Sequence, residues 1–260
     1  SIDHTLNHKI QNQNSQMFFN ASVRKIKHLH LYGSLFVDEL SITRIGDEDR
    51  HNFFSWKGGS KLQNWPIANV SLGYEYTHTY PLTYKHRVRA TTFATNEFGL
   101  GHYLGDNSQE HYGEISVKPF PKLKLKIAYW QSTHFNDYEY DIYEGIRVDE
   151  LPVFEDQSWQ NKTLQVTASY EFWQNMYLKL IYQDSNIKGF DIDGQNAQYY
   201  LDMFTPAYYH GSQKTFSLQF NIEKKKKNGS SAYWFWVLQW QCKPSTLYLC
   251  IAIVHSKSTS

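Results

Sequence analysis

Apolar and polar residues alternate with a period of two over most of this chain. In residues 122–130, Leu123, Leu125, Ile127 and Tyr129 alternate with three lysines and an alanine. A strand with one apolar face and one wet face shows this period, and a helix does not. The same alternation recurs in residues 17–24, 29–38, 51–62, 68–76, 114–118, 164–171, 176–183 and 215–222. The pattern therefore predicts nine amphipathic strands.

The connections between these strands alternate in length. Four are short, at residues 25–28, 63–67, 119–121 and 172–175, and the four between them are longer, at residues 43–50, 79–109, 132–158 and 186–212. If neighbouring strands run up and down, all short turns fall at one end and all longer loops at the other, as in outer-membrane barrels. A sandwich with Greek-key crossovers has no reason to sort its loops in this way.

The apolar faces of the strands need a cover, and no helical segment of the sequence can supply one. In a transmembrane β-barrel that cover is lipid, and the polar faces line the lumen. The alternative is a soluble antiparallel sheet packed on a second sheet. The loop sorting favours the first fold class: all-β, an antiparallel up-and-down transmembrane β-barrel, of which this chain supplies a part with about nine strands. Because single-chain bacterial barrels have an even number of strands, we expect N-terminal strands to be absent from this chain.

Composition agrees with a barrel and excludes some other classes. Aromatic residues make up 17% of the chain, an excess that suits the aromatic girdles at membrane interfaces. A mean hydropathy of -0.60 excludes a bundle of membrane helices but not a barrel, whose strands are only half apolar. The net charge of +1 gives no electrostatic case for a nucleic-acid partner.

Three segments follow from this pattern. Residues 1–15 are polar and aperiodic, as in the loop remnant of a truncated N-terminus, and residues 16–223 hold the barrel strands. Residues 224–260 form an atypical tail, which begins with four lysines, loses the alternation and contains both cysteines, Cys242 and Cys250. Our hypothesis for the tail is a non-native extension created by a frame slip; the alternatives are one added hydrophobic hairpin and a short membrane anchor.

The sequence contains no GxSxG, HExxH or CxxC motif, and we expect a protein that is not an enzyme and needs no cofactor or metal. Its wet faces instead carry charges of both signs. On adjacent strands these would form a network in the lumen that either narrows the pore or sets its selectivity. The predicted lumen charges are Glu75, Glu114, Lys118, Lys124, Lys126, Glu171 and Lys179.

Three short segments resemble a known group of proteins. Residues 77–86 (THTYPLTYKH), 101–107 (GHYLGDN) and 31–39 (LYGSLFVDE) are similar to segments of Bacteroidota outer-membrane barrels related to the capsule-assembly Wzi-like family. The resemblance spans residues 16–223. It implies a closed barrel at the cell surface, linked in some members to holding or assembling surface polysaccharide. No catalytic residue is carried over, because the family is not defined by an active site.

The resulting expectation is a non-enzymatic protein of the bacterial outer membrane that serves capsule or surface-polysaccharide assembly or attachment. Its partners would be outer-membrane lipid and surface polysaccharide, with no nucleic acid. Aromatic faces stack on sugar rings and a carboxylate binds hydroxyls, so the predicted glycan-contact residues of the loops are Tyr80, Tyr84, His102, Tyr103 and Asp106. The alternatives are a passive, porin-like diffusion channel and a soluble secreted carbohydrate-binding β-sheet protein.

Overall fold

A computed structural model describes residues 16–47, 49–86, 92–95, 98–140, 147–192, 194–225, 231–243 and 246–257, with side chains as far as residue 221. One sheet contains eleven strands, each paired antiparallel with the next along the sheet. They are β1 (Met17–Val23), β2 (Leu29–Glu39), β3 (Phe53–Gln63), β4 (Val70–Thr79), β7 (Ser108–Phe120), β8 (Leu123–Phe135), β9 (Gln157–Trp173), β10 (Met176–Gly189), β11 (Gly211–Lys225), β12 (Ser231–Lys243) and β13 (Thr246–Lys257). A separate two-stranded ribbon pairs β5 (Ala94–Thr95) with β6 (Phe98–Gly99).

The predicted fold class is confirmed in its strands and their order. All nine predicted strands are present, and the sheet is all-antiparallel and runs up and down. In the described part of the chain β1 and β13 pair with no further strand, so the sheet is open. Several strands are longer than predicted; β9, for example, begins at Gln157 instead of residue 164. Towards the long loops the alternation of apolar and polar residues ends, but the backbone pairing of the strands continues.

The sorting of connections by length is confirmed from β1 to β11. The turns at residues 24–28, 64–69, 121–122 and 174–175 lie at one end of the sheet, and the loops at residues 40–52, 80–107, 136–156 and 190–210 lie at the other. These are called the turn end and the loop end below. The β12–β13 connection breaks the rule, because only residues 244–245 join two strands at the loop end.

The tail continues the sheet. β12 pairs with β11 and β13 pairs with β12, as the alternative of an added hydrophobic hairpin predicts. The register places Trp240 opposite Phe216 and Leu238 opposite Leu218. The tail thus extends the rows of apolar positions of the preceding strands by two strands. That it is a non-native extension stays a hypothesis.

Apolar side chains stand in rows across one face of the sheet. One row runs through Leu72, Ile115, Ile127, Val166 and Tyr182, each opposite the next across its pair of strands. No other layer of the described chain covers these side chains: Ile115 is 44% exposed, Ile127 46% and Leu180 52%. A continuous exposed surface of this kind marks a site of contact with something outside the chain.

The opposite face, called the polar face here, has the reverse distribution. Near the loop end several of its hydroxyl and amide side chains are nearly inaccessible, as Thr163, Ser185 and Gln213 at 2% exposure illustrate, and towards the turn end others are half-buried. In a water-soluble sheet the apolar face is the buried one. The sheet is therefore inside-out relative to a soluble fold.

Exposed aromatic side chains mark the turn end. Trp65 lies in the β3–β4 turn, Phe120 ends β7 and Trp173 ends β9, at exposures of 56%, 51% and 70%. Each of these connections thus presents an aromatic ring to its surroundings. Rings at one height around a sheet are the arrangement of an interfacial girdle.

The long loops pack on one another in two small hydrophobic clusters. The first joins Phe53, Leu82, Tyr138 and Leu151 from three loops or their edges. The second joins Leu104, Trp159, Ile187 and Tyr200, and thus connects the 80–107 loop with β9, β10 and the helix α1 (Ala197–Phe204). Asn196 caps α1, its Oδ1 accepting the N–H of Tyr199 at 2.9 Å. The loop end is therefore a packed layer and not a set of independent loops.

Candidate functional site

A ladder of charges crosses the polar face at mid-height. Lys57 on β3 lies 3.0 Å from Glu75 on β4. Lys61 lies 2.9 Å from Glu114 on β7, and Lys126 on β8 approaches the same carboxylate at 3.4 Å. Lys57, Lys61, Glu75, Glu114 and Lys126 are called the charge ladder below. Two strands with carboxylates, β4 and β7, lie between two strands with lysines, β3 and β8, and each carboxylate is paired with at least one lysine.

Two tyrosines also donate hydrogen bonds to these carboxylates. Tyr32 on β2 donates its hydroxyl proton to Glu75 at 2.9 Å, and Tyr112 on β7 donates to Glu114 at 2.7 Å. Glu114 thus accepts from one tyrosine and two lysines. A carboxylate with this many donors is held in one position, which gives the polar face a defined electrostatic pattern.

The structure brings together only part of the predicted lumen charges. Glu75, Glu114 and Lys126 belong to the charge ladder, which also includes Lys57 and Lys61, two residues missing from the prediction. The other four, Lys118, Lys124, Glu171 and Lys179, lie nearer the turn end and form no ion pair with a described side chain. Glu171 instead accepts the backbone N–H of Asn175 at 3.1 Å in the β9–β10 turn.

The 80–107 loop lies across the polar face. Near one edge its Phe93 stacks on Phe36 of β2, with ring centroids 4.9 Å apart. Near the other side Leu104, 1% exposed, packs against Trp159 of β9 and Ile187 of β10. The described residues of this loop therefore reach from β2 to β10 on the side that a barrel would enclose.

Asp106 and Tyr84 connect the beginning and the end of the 80–107 loop. The backbone N–H of Tyr84 donates to Asp106 Oδ1 at 2.7 Å, and the ring of Tyr84 lies so close to Gly101 that a Cβ there would meet it at 2.5 Å. Burial raises the pKa of Asp106 to about 7, an effect that the nearby Lys85 opposes. Lys85 itself bridges to Asp137 in the 136–156 loop at 2.7 Å. Burial lowers its pKa, but the carboxylates of Asp137, Asp106 and Glu139 together outweigh burial, and the pKa of Lys85 is raised.

A polar cluster joins the tip of the loop to the polar face. The hydroxyl of Tyr103 hydrogen-bonds Glu110 of β7 and lies 2.9 Å from the hydroxyl of Ser132 on β8. Ser132 donates to Glu110 at 2.6 Å, and His102 Nε2 lies 4.0 Å from the same carboxylate. Burial lowers the pKa of His102 and, together with the Glu110 hydrogen bond, raises that of Tyr103. Tyr103 as a residue is 64% exposed, and its hydroxyl reaches Glu110 and Ser132 of the polar face.

The 190–210 loop covers the same end of the polar face. Phe204 of α1 lies 4.3 Å from the ring of His134 on β8, and Trp159 donates its indole N–H to Thr205 at 2.9 Å. His134 is 2% exposed and is paired with Ser158 at 2.7 Å. Two loops therefore narrow the space over the polar face at the loop end.

A cavity of about 860 Å³ lies between the 40–52 and 147–153 segments and the strands below them. It is called the loop cavity here. Phe54 and Tyr80 line it, with ring centroids 4.5 Å apart, and so does His51, which lies 5.6 Å from Tyr80 and stacks on it. Its volume is in the range of pockets that hold small organic ligands.

The five predicted glycan-contact residues occupy different places. Tyr80 lines the loop cavity, and His102 and Tyr103 form the polar cluster. Tyr84 and Asp106 hold the 80–107 loop together, and the carboxylate of Asp106 is buried. The structure thus does not bring the five into one site, and their contact with glycan stays a prediction.

Sequence reasoning missed Glu110, Ser132 and His51. The first two lie beyond the alternating part of β7 and β8, where only the extended ladder places them opposite each other. The alternation places His51 at the start of a predicted strand, whereas its burial results from packing of the loops. No local sequence signal marks any of the three.

Two kinds of feature are absent from the described residues. No group of three or more His, Cys, Asp or Glu residues in the described ranges is arranged to hold a metal ion. No helix in the described part of the chain is both long and apolar enough to cross a membrane.

Comparison with known proteins finds similarity among solved structures. No protein-family model and no curated protein matches the chain. Among solved structures, the crystal structure of Acinetobacter baumannii OccAB1 is similar, with a TM-score of 0.46 and 15% identity over 86% of this chain and 52% of that one. The chain thus spans about half the length of the structure it matches. The resemblance to the Wzi-like family stays a prediction.

Proposed function

We propose that this chain forms part of the wall of a bacterial outer-membrane β-barrel, with its apolar face against lipid and its loop end at the cell surface. The inside-out sheet carries this proposal: Ile115, Ile127 and Leu180 are about half exposed, while Thr163 and Ser185 of the polar face are buried. Lipid is the cover that such a face requires. A soluble carbohydrate-binding sheet would need a second protein layer there, and the described chain supplies none.

Strand length supports the same proposal. From β2 to β11 the strands of the main sheet contain between 10 and 17 residues. A tilted strand of about 9 to 11 residues crosses the hydrocarbon core. Trp65, Phe120 and Trp173 would then lie at the periplasmic interface, next to the short turns.

The task that this geometry supports best is attachment or assembly of surface polysaccharide, without a catalytic step. The observation that favours it over an open channel is the 80–107 loop, which lies across the polar face and is anchored on both sides by Phe93 and Leu104. A barrel whose lumen is covered in this way offers a fixed loop surface and little free passage.

A passive diffusion channel is the second candidate, and the charge ladder favours it. Fixed charges of both signs along a lumen wall select among permeating solutes. Conductance in planar bilayers separates the two candidates: the covered lumen of an attachment protein gives no steps, whereas a channel gives steps whose selectivity changes when the ladder is altered.

Membrane location is tested by fractionation of cells that produce the protein. We expect it in the outer-membrane fraction, released by detergent and not by high salt or alkaline washing. Recovery in the soluble fraction without detergent would refute the proposed location. The polysaccharide task is tested separately, by capsule retention in cells that carry Tyr80→Ala or Tyr103→Ala; unchanged retention with both would refute it.

A further inference from the structure

The charge of the polar face changes along its height. From β1 to β10, its positions on the turn side of the charge ladder hold three lysines, Lys118, Lys124 and Lys179, and one carboxylate, that of Glu171. On the loop side of the ladder, the polar-face positions of the same described strands hold Glu110 and neither lysine nor arginine. The polar face is therefore basic towards the turn end and not towards the loop end.

The three lysines lie close together and are called the lysine patch here. Lys124 on β8 and Lys179 on β10 both lie opposite Ser169 of β9, one on each side of it. Because neighbouring strands are about 4.8 Å apart, these two backbone positions are about 10 Å apart, and their long side chains can converge over Ser169. Lys118 lies on β7, the strand on the other side of β8. Four consecutive strands thus form the patch.

The lysine patch forms no ion pair with a side chain of the described chain. Glu171, the carboxylate on this side of the ladder, accepts the backbone N–H of Asn175 in the β9–β10 turn at 3.1 Å. The carboxylates of the charge ladder are paired with the ladder's own lysines. Lys118 and Lys124 are exposed. Their ammonium groups are therefore accessible from the space over the polar face.

An anion would offset an unfavourable arrangement at this patch. Like charges on neighbouring strands destabilise a sheet, and here no carboxylate separates the lysines as in the charge ladder. Ser169 between two of them, and Gln219 of β11 opposite Lys179, add neutral hydrogen-bond donors beside the ammonium groups. Anionic oxygens bind both kinds of donor, and their hydrogen bonds to ammonium groups are the stronger ones.

We propose that the lysine patch is a binding site for a soluble polyanion, a solute that carries at least two carboxylate or phosphate groups. Lys124 and Lys179 bind two anionic groups of the same solute, with the hydroxyl of Ser169 between them. Because the turn end faces the periplasm in the proposed orientation, the solute enters from that side. This site rests on the proposed barrel, since the polar face must enclose a lumen. It names the charge of the solute for either of the two candidate tasks.

The test is calorimetric titration of the intact protein in a non-ionic detergent at low salt. The polyanionic probes are trigalacturonate and tripolyphosphate, which distinguish recognition of carboxylate from that of phosphate. Maltotriose is the neutral probe and acetate the monovalent one. In water a charge pair about 4 Å apart corresponds to a factor of about five in affinity. Lys124→Gln and Lys179→Gln should therefore each weaken binding about fivefold, and the double variant about 25-fold.

The matched control is Lys188→Gln. It removes the same charge from the same strand, but Lys188 lies near the loop end of β10 and on the opposite face. Lys124→Arg and Lys179→Arg keep the charge and should retain binding. Urea unfolding of each variant checks the fold. Since the lysine patch has no ion-pair partner in the described chain, the glutamine variants should unfold no more easily than the unsubstituted protein.

The proposal expects at least one polyanion to bind more tightly than maltotriose and acetate. Binding should weaken with added salt, because the Debye length falls from about 30 Å at about 0.01 M to about 10 Å at about 0.1 M. The proposal is overturned if neither polyanion binds at millimolar concentration, if maltotriose or acetate binds as tightly, or if Lys188→Gln weakens binding as much as Lys179→Gln. Fractionation tests the membrane location independently, so an outer-membrane protein that fails the titration refutes this site alone.

Discussion

Replacing Ile127 by lysine distinguishes a lipid-facing strand from a water-facing one. Ile127 lies in the middle of β8, 46% exposed, with Ile115 opposite it on one side and Val166 on the other. Both neighbours are apolar and comparably exposed. The lysine therefore has no carboxylate in its row with which to pair.

The expected cost depends on what covers the face. In water, a substitution at a half-exposed site changes the free energy of unfolding by about 0.5 kcal/mol or less. In a bilayer, a lysine on the lipid face near the midplane costs about 2 to 4 kcal/mol. At 1.4 kcal/mol for each factor of ten, the folding equilibrium in membranes falls by about 30- to 700-fold.

The assay is urea-induced unfolding of the protein from phospholipid vesicles, followed by tryptophan fluorescence. Gln165→Lys on the neighbouring strand is the matched control, because Gln165 lies on the polar face and bonds Gln183 there. We expect Ile127→Lys to lose at least about 2 kcal/mol and Gln165→Lys to lose less than about 1 kcal/mol. Equal losses for the two variants would refute the assignment of the apolar face to lipid.

Three further predictions concern the polar face and its loops. The pKa of Asp106 is raised from 3.8 to about 7 in the folded protein. The protonated carboxyl therefore stabilises the fold fully below about pH 4, and this stabilisation is lost as the pH rises through 7. Asp106→Asn should remove this decrease in the free energy of unfolding between pH 5 and 8. Glu114→Gln leaves Lys61 and Lys126 without their carboxylate and should lower the free energy of unfolding in urea by about 1 to 3 kcal/mol. The control Lys118→Gln breaks no ion pair of the described chain and should lower it by about 0.5 kcal/mol or less. Equal effects of the two variants would contradict the charge ladder. Leu104→Ala removes buried apolar contacts worth about 2 to 4 kcal/mol. It should make the 80–107 loop susceptible to proteolysis without unfolding the sheet. An unchanged rate of cleavage would show that other contacts hold the loop.

The strands were predictable because their faces meet two different surroundings. Wherever one face is apolar, as from Leu123 to Tyr129, alternation predicts the strand and its two faces, and the sorting of the connections by length predicts its neighbours. It fails towards the loop end, where residues 157–163 of β9 are polar except for Trp159 and show no alternation. There the ladder is held by backbone hydrogen bonds and loop packing, which leave no periodic mark on the sequence.

The candidate sites were predictable only in part, because long-range packing decides them. Glu75, Glu114 and Lys126 follow from strand register, but Lys57 and Lys61 lie on a strand whose alternation is interrupted by Gly58 and Gly59. The loop cavity joins segments about 100 residues apart, such as His51 and Leu151. No spacing rule connects such segments.

The most direct test of the central claim is a scan of single spin labels along β8. Cys242 and Cys250 are first replaced by serine, and a nitroxide is attached in turn at each position from Leu123 to Tyr129 in protein reconstituted into vesicles. We predict that oxygen, which dissolves in lipid, increases the relaxation rate of labels at odd-numbered positions. Labels at even-numbered positions should respond more to a water-soluble nickel chelate or be shielded from both reagents. Odd-numbered positions that respond to the chelate more than to oxygen would show that water covers the apolar face and would contradict the barrel.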